Sequence, residues 1–238
     1  MKSALNLRRV EGRPLVIGHR GAAALAPENT LASLEAAVAA RVDLVEFDIS
    51  PGLRLGHSLD ELPRDSISLD EAFEFLKAHD LGVHLDVKLP GYEEQVLDAI
   101  ERHDFAERAL VSTAFAVTAR RFARLAPDLP RAIGYPRDRL GVSNVHWPRP
   151  LQRAGATALR QAMPVRVPLL LRWARANTLS LHHTLCSRAA VATAHRLGAP
   201  VLAWTVNDPA GVRRVTAAGV DGIVSDDPEM TVATLLAL

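Results

Sequence analysis

Val16-Ile17-Gly18-His19-Arg20-Gly21 is a short apolar run that ends in a charged triplet. Val45-Glu46-Phe47-Asp48-Ile49, a little further on, is a second apolar run with two carboxylates inside it. Runs of this length read as buried strands. Charge at the C-terminal end of a buried strand is where α/β proteins place their sites. Glu46 and Asp48 are two residues apart, so on a strand both point to one face. Two carboxylates on one buried face need a cation or a shared proton, and an oxygen-only pair points to a hard divalent cation. Singly, His-Arg-Gly reads as a strand-to-loop turn and Glu-x-Asp as a solvated face. Their spacing as one βα unit makes them a site.

Working outward, short apolar runs alternate with amphipathic segments along the chain. Strands are expected at 15–18, 43–49, 82–88, 109–113, 131–135, 178–181, 200–204 and 222–224, with a short extra strand at 53–56 that ends at His57. Asn29 or Thr30 caps a helix running to about Ala40, Ser68 caps one through Lys77, and Gly219 stops one that starts at Pro209. Further helices are expected at 92–102, 117–125, 187–197 and 228–236. Pro136, Pro148, Pro150, Pro164 and Pro168 break up the stretch 136–176, which reads as two helical pieces with loops. Eight strands alternating with helices predict a (β/α)8 TIM barrel, one domain over 1–238. No Gly-rich dinucleotide fingerprint supports a Rossmann fold instead.

The chain has 238 residues, with 48% hydrophobic and 23% charged, which is ordinary for a globular domain. A formal net charge of +1 gives no global field for nucleic acid, so no nucleic-acid partner is expected. Cys186 is the single cysteine, which excludes an internal disulfide and suits a reducing compartment. No secretory h-region precedes Leu15 and no apolar run approaches a membrane span, so a cytoplasmic location is expected. Between Arg131 and Arg175 the only acid is Asp138, among many arginines and with Trp147 and Trp173 nearby. That stretch reads either as solvated helix faces or as a surface for anionic lipid headgroups, leaving peripheral membrane contact open.

In a barrel the strand ends converge, so candidates from separate strands share one site. They are His19, Arg20, Glu46, Asp48, His57, Asp86, Lys88 and Trp204, the last of which reads equally as core packing. Asp86 and Lys88 alternate with Val83, Leu85 and Val87, so they share a face. A cation held by Glu46, Asp48 and Asp86 satisfies that face and leaves Lys88 for an anionic ligand. A plain Asp86–Lys88 ion pair is the other reading. Phosphodiester cleavage fits the set: a metal to neutralise phosphoryl oxygens, Arg20 to clamp the phosphate, and two histidines to divide base and acid roles. His182-His183, after the sixth barrel strand, reads as a substrate contact or as a polar lip.

His19-Arg20-Gly21, Pro27-Glu28-Asn29-Thr30, Glu46-Phe47-Asp48, Trp204-Thr205-Val206-Asn207 and Gly219-Val220-Asp221-Gly222-Ile223 resemble the glycerophosphodiester phosphodiesterase family. Order and spacing match from about Leu15 to Pro228. The resemblance implies metal-dependent hydrolysis of a glycerophosphodiester to glycerol 3-phosphate and an alcohol, through attack by a neighbouring substrate hydroxyl and a cyclic phosphate. It implies His19 and His57 as acid and base, Glu46, Asp48 and Asp86 as ligands for Mg2+ or Ca2+, and Trp204 against the glycerol moiety. The chain departs from the family pattern in three places. Asp86 stands where the family has Glu, as in the sphingomyelinase D-like phospholipases. Ser50-Pro51-Gly52 replaces a Thr-x-Asp-Gly hairpin, and Ser58 replaces an aspartate, with Asp60 or Glu61 as substitutes for the missing acid. These departures keep two alternatives in view: a phospholipase D-like activity on lysophospholipids, and a phosphodiester-binding barrel with impaired turnover.

Overall fold

The computed structural model describes residues 5–57, 62, 66–137 and 149–238. In chain order the elements are β1 (Leu15–Gly18), α1 (Leu31–Ala39), β2 (Leu44–Ser50), β3 (Arg54–Leu55), α2 (Leu69–Ala78), β4 (Gly82–Val87), α3 (Glu93–Arg102), β5 (Ala109–Thr113), α4 (Ala116–Leu125), β6 (Arg131–Tyr135), α5 (Arg149–Ala174), β7 (Thr178–His182), α6 (Arg188–Arg196), β8 (Val201–Trp204), α7 (Pro209–Ala218), β9 (Gly222–Ser225) and α8 (Pro228–Leu236). β1 pairs in parallel with both β2 and β9, which closes β1, β2 and β4 to β9 into an eight-stranded barrel; β3 lies antiparallel on β2, outside it. This is the (β/α)8 barrel that the strand alternation predicts.

The helices start where their caps say they should. Thr30 with Ser33 opens α1 and Ser68 with Glu71 opens α2, each pair closing a reciprocal capping box. Asp208 and Asp227 cap α7 and α8, each followed by Pro in the first turn. α7 stops at Gly219, whose φ of +96° is left-handed.

Strand alternation sorts the core into two compartments. Val45, Phe47, Ile49, Val83, Leu85 and Val87 face outward and pack under the helices of one half. Val201, Ala203 and Ile223 do the same in the other half. Leu15, Ile17, Leu44, Leu110, Ala132, Leu202 and Val224 face inward and fill the barrel's lower interior. Burying each such Val, Leu or Ile contributes about 1.5–3 kcal/mol. Two residues further along these strands the inward positions become Glu46, His84, Asp86, Ser112, Ser180 and Trp204. The interior is therefore apolar below and polar at the C-terminal end, and the period of two carries both in one strand.

Within the stretch 136–176, expected as two helical pieces with loops, the described residues from 149 on form one helix. α5 is a single helix of 26 residues that runs through Pro164 and Pro168. The prolines are four apart, so the backbone bonds they remove fall on one side of the helix, at the carbonyls of Arg160 and Pro164. Met163, Val167, Leu171 and Ala174 lie buried on the core-facing side. That apolar seam holds the helix against the barrel despite the two lost bonds. Ser58, Asp60, Glu61, Arg139, His146, Trp147 and Pro148 lie outside the described residues. No helix among the described residues is long and apolar enough to cross a membrane.

Candidate active site

The site grows from the loop between β1 and α1. Gly18 and Gly21 bring the chain back on itself: a Cβ on Gly18 would lie 2.1 Å from Gly21 O, and one on Gly21 would lie 2.4 Å from Ser33 Oγ on α1. Gly21 also has φ +87°, so no other residue fits there without moving the helix. Between them Arg20 is held in the left-handed region at φ +50°. Its backbone N–H donates to Glu46 Oε2 at 2.8 Å, and its Nη1 donates to both oxygens of Glu28 at 2.8 and 2.7 Å. Asn29 is also left-handed, at φ +58°, and is 1% exposed. Its side-chain oxygen accepts from Asp48 N at 3.1 Å, and its amide donates to Asp48 Oδ2 at 3.4 Å. The run Glu28-Asn29-Thr30 thus divides its work by residue: Glu28 holds Arg20, Asn29 holds Asp48, and Thr30 caps α1.

Glu46, Asp48 and Asp86 each offer an oxygen within 4.8 Å of the others, the one such acidic cluster among the described residues. The methylene that Asp86 lacks relative to Glu does not take it out of range. Lys88 Nζ lies 2.6 Å from Asp48 Oδ1 and 2.5 Å from Asp86 Oδ2, and Arg20 Nε lies 3.0 Å from Asp48 Oδ2. Ser112 Oγ donates to Asp86 Oδ1 at 2.6 Å. Burial alone would raise the Asp86 carboxyl, but Lys88 and Ser112 hold it well below the usual range; Asp86 and Asp48 in turn raise Lys88. Glu46 has no such direct cation. Burial, joined by the charges of Asp48 and Asp86, pushes it up to about 7 even with His19 and Lys88 opposing. A buried carboxyl short of positive charge, in an all-oxygen cluster, fits a hard divalent cation.

His19 sits at the end of β1 with Nδ1 2.5 Å from Asp226 Oδ1 and Nε2 3.9 Å from Glu46 Oε2. Burial works against its charged form, but Glu46 and Asp226 outweigh it and the imidazole pKa is raised. Asp226, just past β9, is held in turn by Asn207, whose amide donates to its other oxygen and whose side-chain oxygen accepts from Asp226 N at 2.9 Å. Sequence reasoning does not single out Asp226. A carboxylate at the C-terminal end of the last barrel strand is the available signal.

His57 comes from the hairpin that replaces Thr-x-Asp-Gly. β2 turns at Pro51-Gly52-Leu53, with Gly52 at φ +84°, and returns as β3. The buried Ser50 donates through Oγ to Gly56 O at 2.5 Å, and Gly56 N donates to Asp48 O at 3.0 Å. The shortened connection is thus a bonded hairpin that presents an exposed His57 at the rim. His19, Arg20, Glu46, His57, Asp86, Lys88 and Trp204 all line one cleft of about 620 Å3. Asp48, fully buried, lies behind it.

The cleft floor adds His84, to which the sequence assigns no role. It is 3% exposed and neither ring nitrogen has a hydrogen-bond partner. Burial lowers its pKa to about 4, so it is neutral at pH 7. On the opposite wall, His182 packs edge-on against Trp204 with ring centroids 5.3 Å apart, and His183 Nδ1 accepts from Arg214 at 2.8 Å. Burial lowers both imidazoles, His183 to about 4. This pair braces the Trp204 wall, and it does not line the cleft.

A glycerophosphodiester phosphodiesterase of Caldanaerobacter subterraneus subsp. tengcongensis is 25% identical over 257 residues, covering 91% of this chain and 96% of its own. A crystal structure from Silicibacter pomeroyi DSS-3 superposes with a TM-score of 0.75 at 22% identity, covering 97% of this chain and 96% of its own. An Oleispira antarctica phosphodiesterase, solved in complex with the product sn-glycerol-3-phosphate, superposes with a TM-score of 0.70 at 22% identity, covering 93% and 96%. The profile of the glycerophosphoryl diester phosphodiesterase family matches residues 19–50 and 66–230, a span that takes in the His-Arg-Gly loop, the acidic cluster and the Trp204 wall. This chain belongs to that family.

Proposed function

We propose that the chain hydrolyses glycerophosphodiesters to glycerol 3-phosphate and an alcohol, with His19 and His57 as the proton-transfer pair. The observation that carries this reading is the single cleft. It brings two histidines on separate elements to a carboxylate cluster and two cations. Glu46, Asp48 and Asp86 are the residues to hold Mg2+ or Ca2+. The ion, when bound, offsets phosphoryl charge and acidifies a bound oxygen.

The chain's own residues supply the rest. Asp226 accepts at His19 Nδ1, which leaves Nε2 to take the proton from the attacking hydroxyl of the substrate. His57, at the solvent-facing rim, gives a proton to the departing alkoxide; water then opens the cyclic phosphate, with His57 taking its proton and His19 returning one to the glycerol oxygen, which leaves glycerol 3-phosphate. Arg20 and Lys88 meet the phosphate oxygens. Trp204 offers an apolar wall to the glycerol carbons. The bonded hairpin below His57 supports turnover over binding alone.

The test is a turnover assay on glycerophosphocholine, glycerophosphoethanolamine and lysophosphatidylcholine with Mg2+, Ca2+ or EDTA. Release of glycerol 3-phosphate from the first two, lost in EDTA and restored by either ion, is the expected result. Tight binding of all three with no turnover under any condition would sink the reading. Cleavage of the acylated substrate alone would move the activity to the phospholipase D-like class.

A further inference from the structure

The charge of this protein is strongly one-sided, although its net charge is only +1. From Arg139 to Asn207 the sequence contains no Asp or Glu. α4, α5 and α6 pack side by side and carry no carboxylate among them. By contrast there are three carboxylates on α2 and four on α3. The acid-free flank also carries an apolar ridge. Val165, Leu169 and Trp173 are 73%, 65% and 45% exposed, and their i, i+4, i+8 spacing puts them in one line along α5. Arg172 is exposed beside them, and so are Arg120 and Arg124 on the neighbouring α4. Arg120 lies over the Trp173 ring, 5.8 Å from its centroid.

We propose that this flank docks on an anionic lipid surface. An apolar ridge with an interfacial tryptophan and flanking arginines is the arrangement that seats a helix in the headgroup region. A positive face without carboxylates is complementary to anionic headgroups. The two other occupants suit it less. A nucleic-acid backbone gains nothing from a projecting Val and Leu, and a second copy joined by the same face would set arginine against arginine. α5 leads from the cleft end of β6 down to the start of β7, so the ridge, late in α5, lies towards the barrel end remote from the cleft. Docking there leaves the cleft mouth uncovered. This inference does not depend on which phosphodiester the cleft takes.

Vesicle flotation tests it, using the full chain with phosphatidylcholine vesicles and with phosphatidylcholine containing phosphatidylglycerol. The wild type is expected to float with the anionic vesicles and not with the neutral ones, and the bound fraction to fall about tenfold between low and high salt. Val165→Glu with Leu169→Glu is expected to weaken anionic binding at least ~tenfold, with circular dichroism and melting temperature unchanged. If that pair disturbs the fold, Arg124→Glu with Arg172→Glu, on the charge alone, is expected to do the same. Absence of binding to anionic vesicles, equal binding to neutral ones, or binding that survives both variant pairs overturns the proposal. Self-association that disappears with Val165→Glu and Leu169→Glu, without vesicle binding, would instead make the flank a contact between copies.

Discussion

The two halves of the barrel rim differ in kind. The half built from β1, β2 and β4 carries His19, Arg20, Glu46, Asp86 and Lys88 on the cleft wall, with Asp48 behind and His57 above. The half built from β6, β7 and β8 offers Gly134, Ser180 and Trp204, backed by His182, whose pKa burial lowers. Among the described residues its one cation on the cleft is Arg137, which lies over the Phe115 ring at 3.7 Å from the centroid. On the proposed function, charge gathered on one wall assigns bond-breaking to it and leaves the other wall to shape and hold. The difference also separates what each wall should do to kinetics. Groups that act on the transition state move kcat, whereas groups that contact substrate throughout move KM.

The first way to break that division is His19→Ala, for which kcat is expected to fall about 10^3- to 10^4-fold with KM nearly unchanged. A loss that appeared mainly in KM would put His19 on the binding side. His57→Ala should lower kcat by about 10^2- to 10^3-fold, less than His19 because water at the exposed rim partly replaces it. Equal activity of this variant and the wild type would remove the hairpin from the chemistry. Asp226→Asn keeps the shape but withdraws the charge behind Nδ1, so a loss of roughly ten- to a hundredfold in kcat is expected, checked by comparing it with Asp226→Glu, which should recover part of the rate. Trp204→Ala is expected to raise KM about tenfold while kcat stays within about threefold. His182→Ala, acting only by letting Trp204 shift, should change KM by less than about threefold.

How much of this is legible in the sequence follows the range of each interaction. β1, β5 and β6 begin and end where the apolar runs do, because one buried face and a period of two are local properties. α1, α2 and α7 start at residues whose side chains cap them, again within a few positions. Glu46, Asp48, Asp86 and Lys88 are readable because alternation gives their face and burial of like charges asks for a cation. α5 does not read as one helix because each proline is locally a break, while the buried seam of Met163, Val167, Leu171 and Ala174 is a tertiary term. Asp226 does not stand out because nothing near it in sequence distinguishes it from Asp227. Its partner lies 207 residues away. His84 gives no local sign either, since a histidine on a buried strand has the same sequence context whether it meets a core or a cleft.

The pairing of the first strand with the last also matters in time. Translation proceeds at about 5–20 residues per second, so His19 leaves the ribosome on the order of ten seconds or more before Asp226, which follows it by 207 positions. In that interval the nascent chain already has Arg20, the residues of the acidic cluster and Lys88, all on or next to its first strands. It lacks the carboxylate that sets the tautomer of His19, and it lacks β9, the strand against which β1 closes the barrel. On the role proposed for His19, proton transfer there waits until synthesis reaches β9 and the ring of strands shuts.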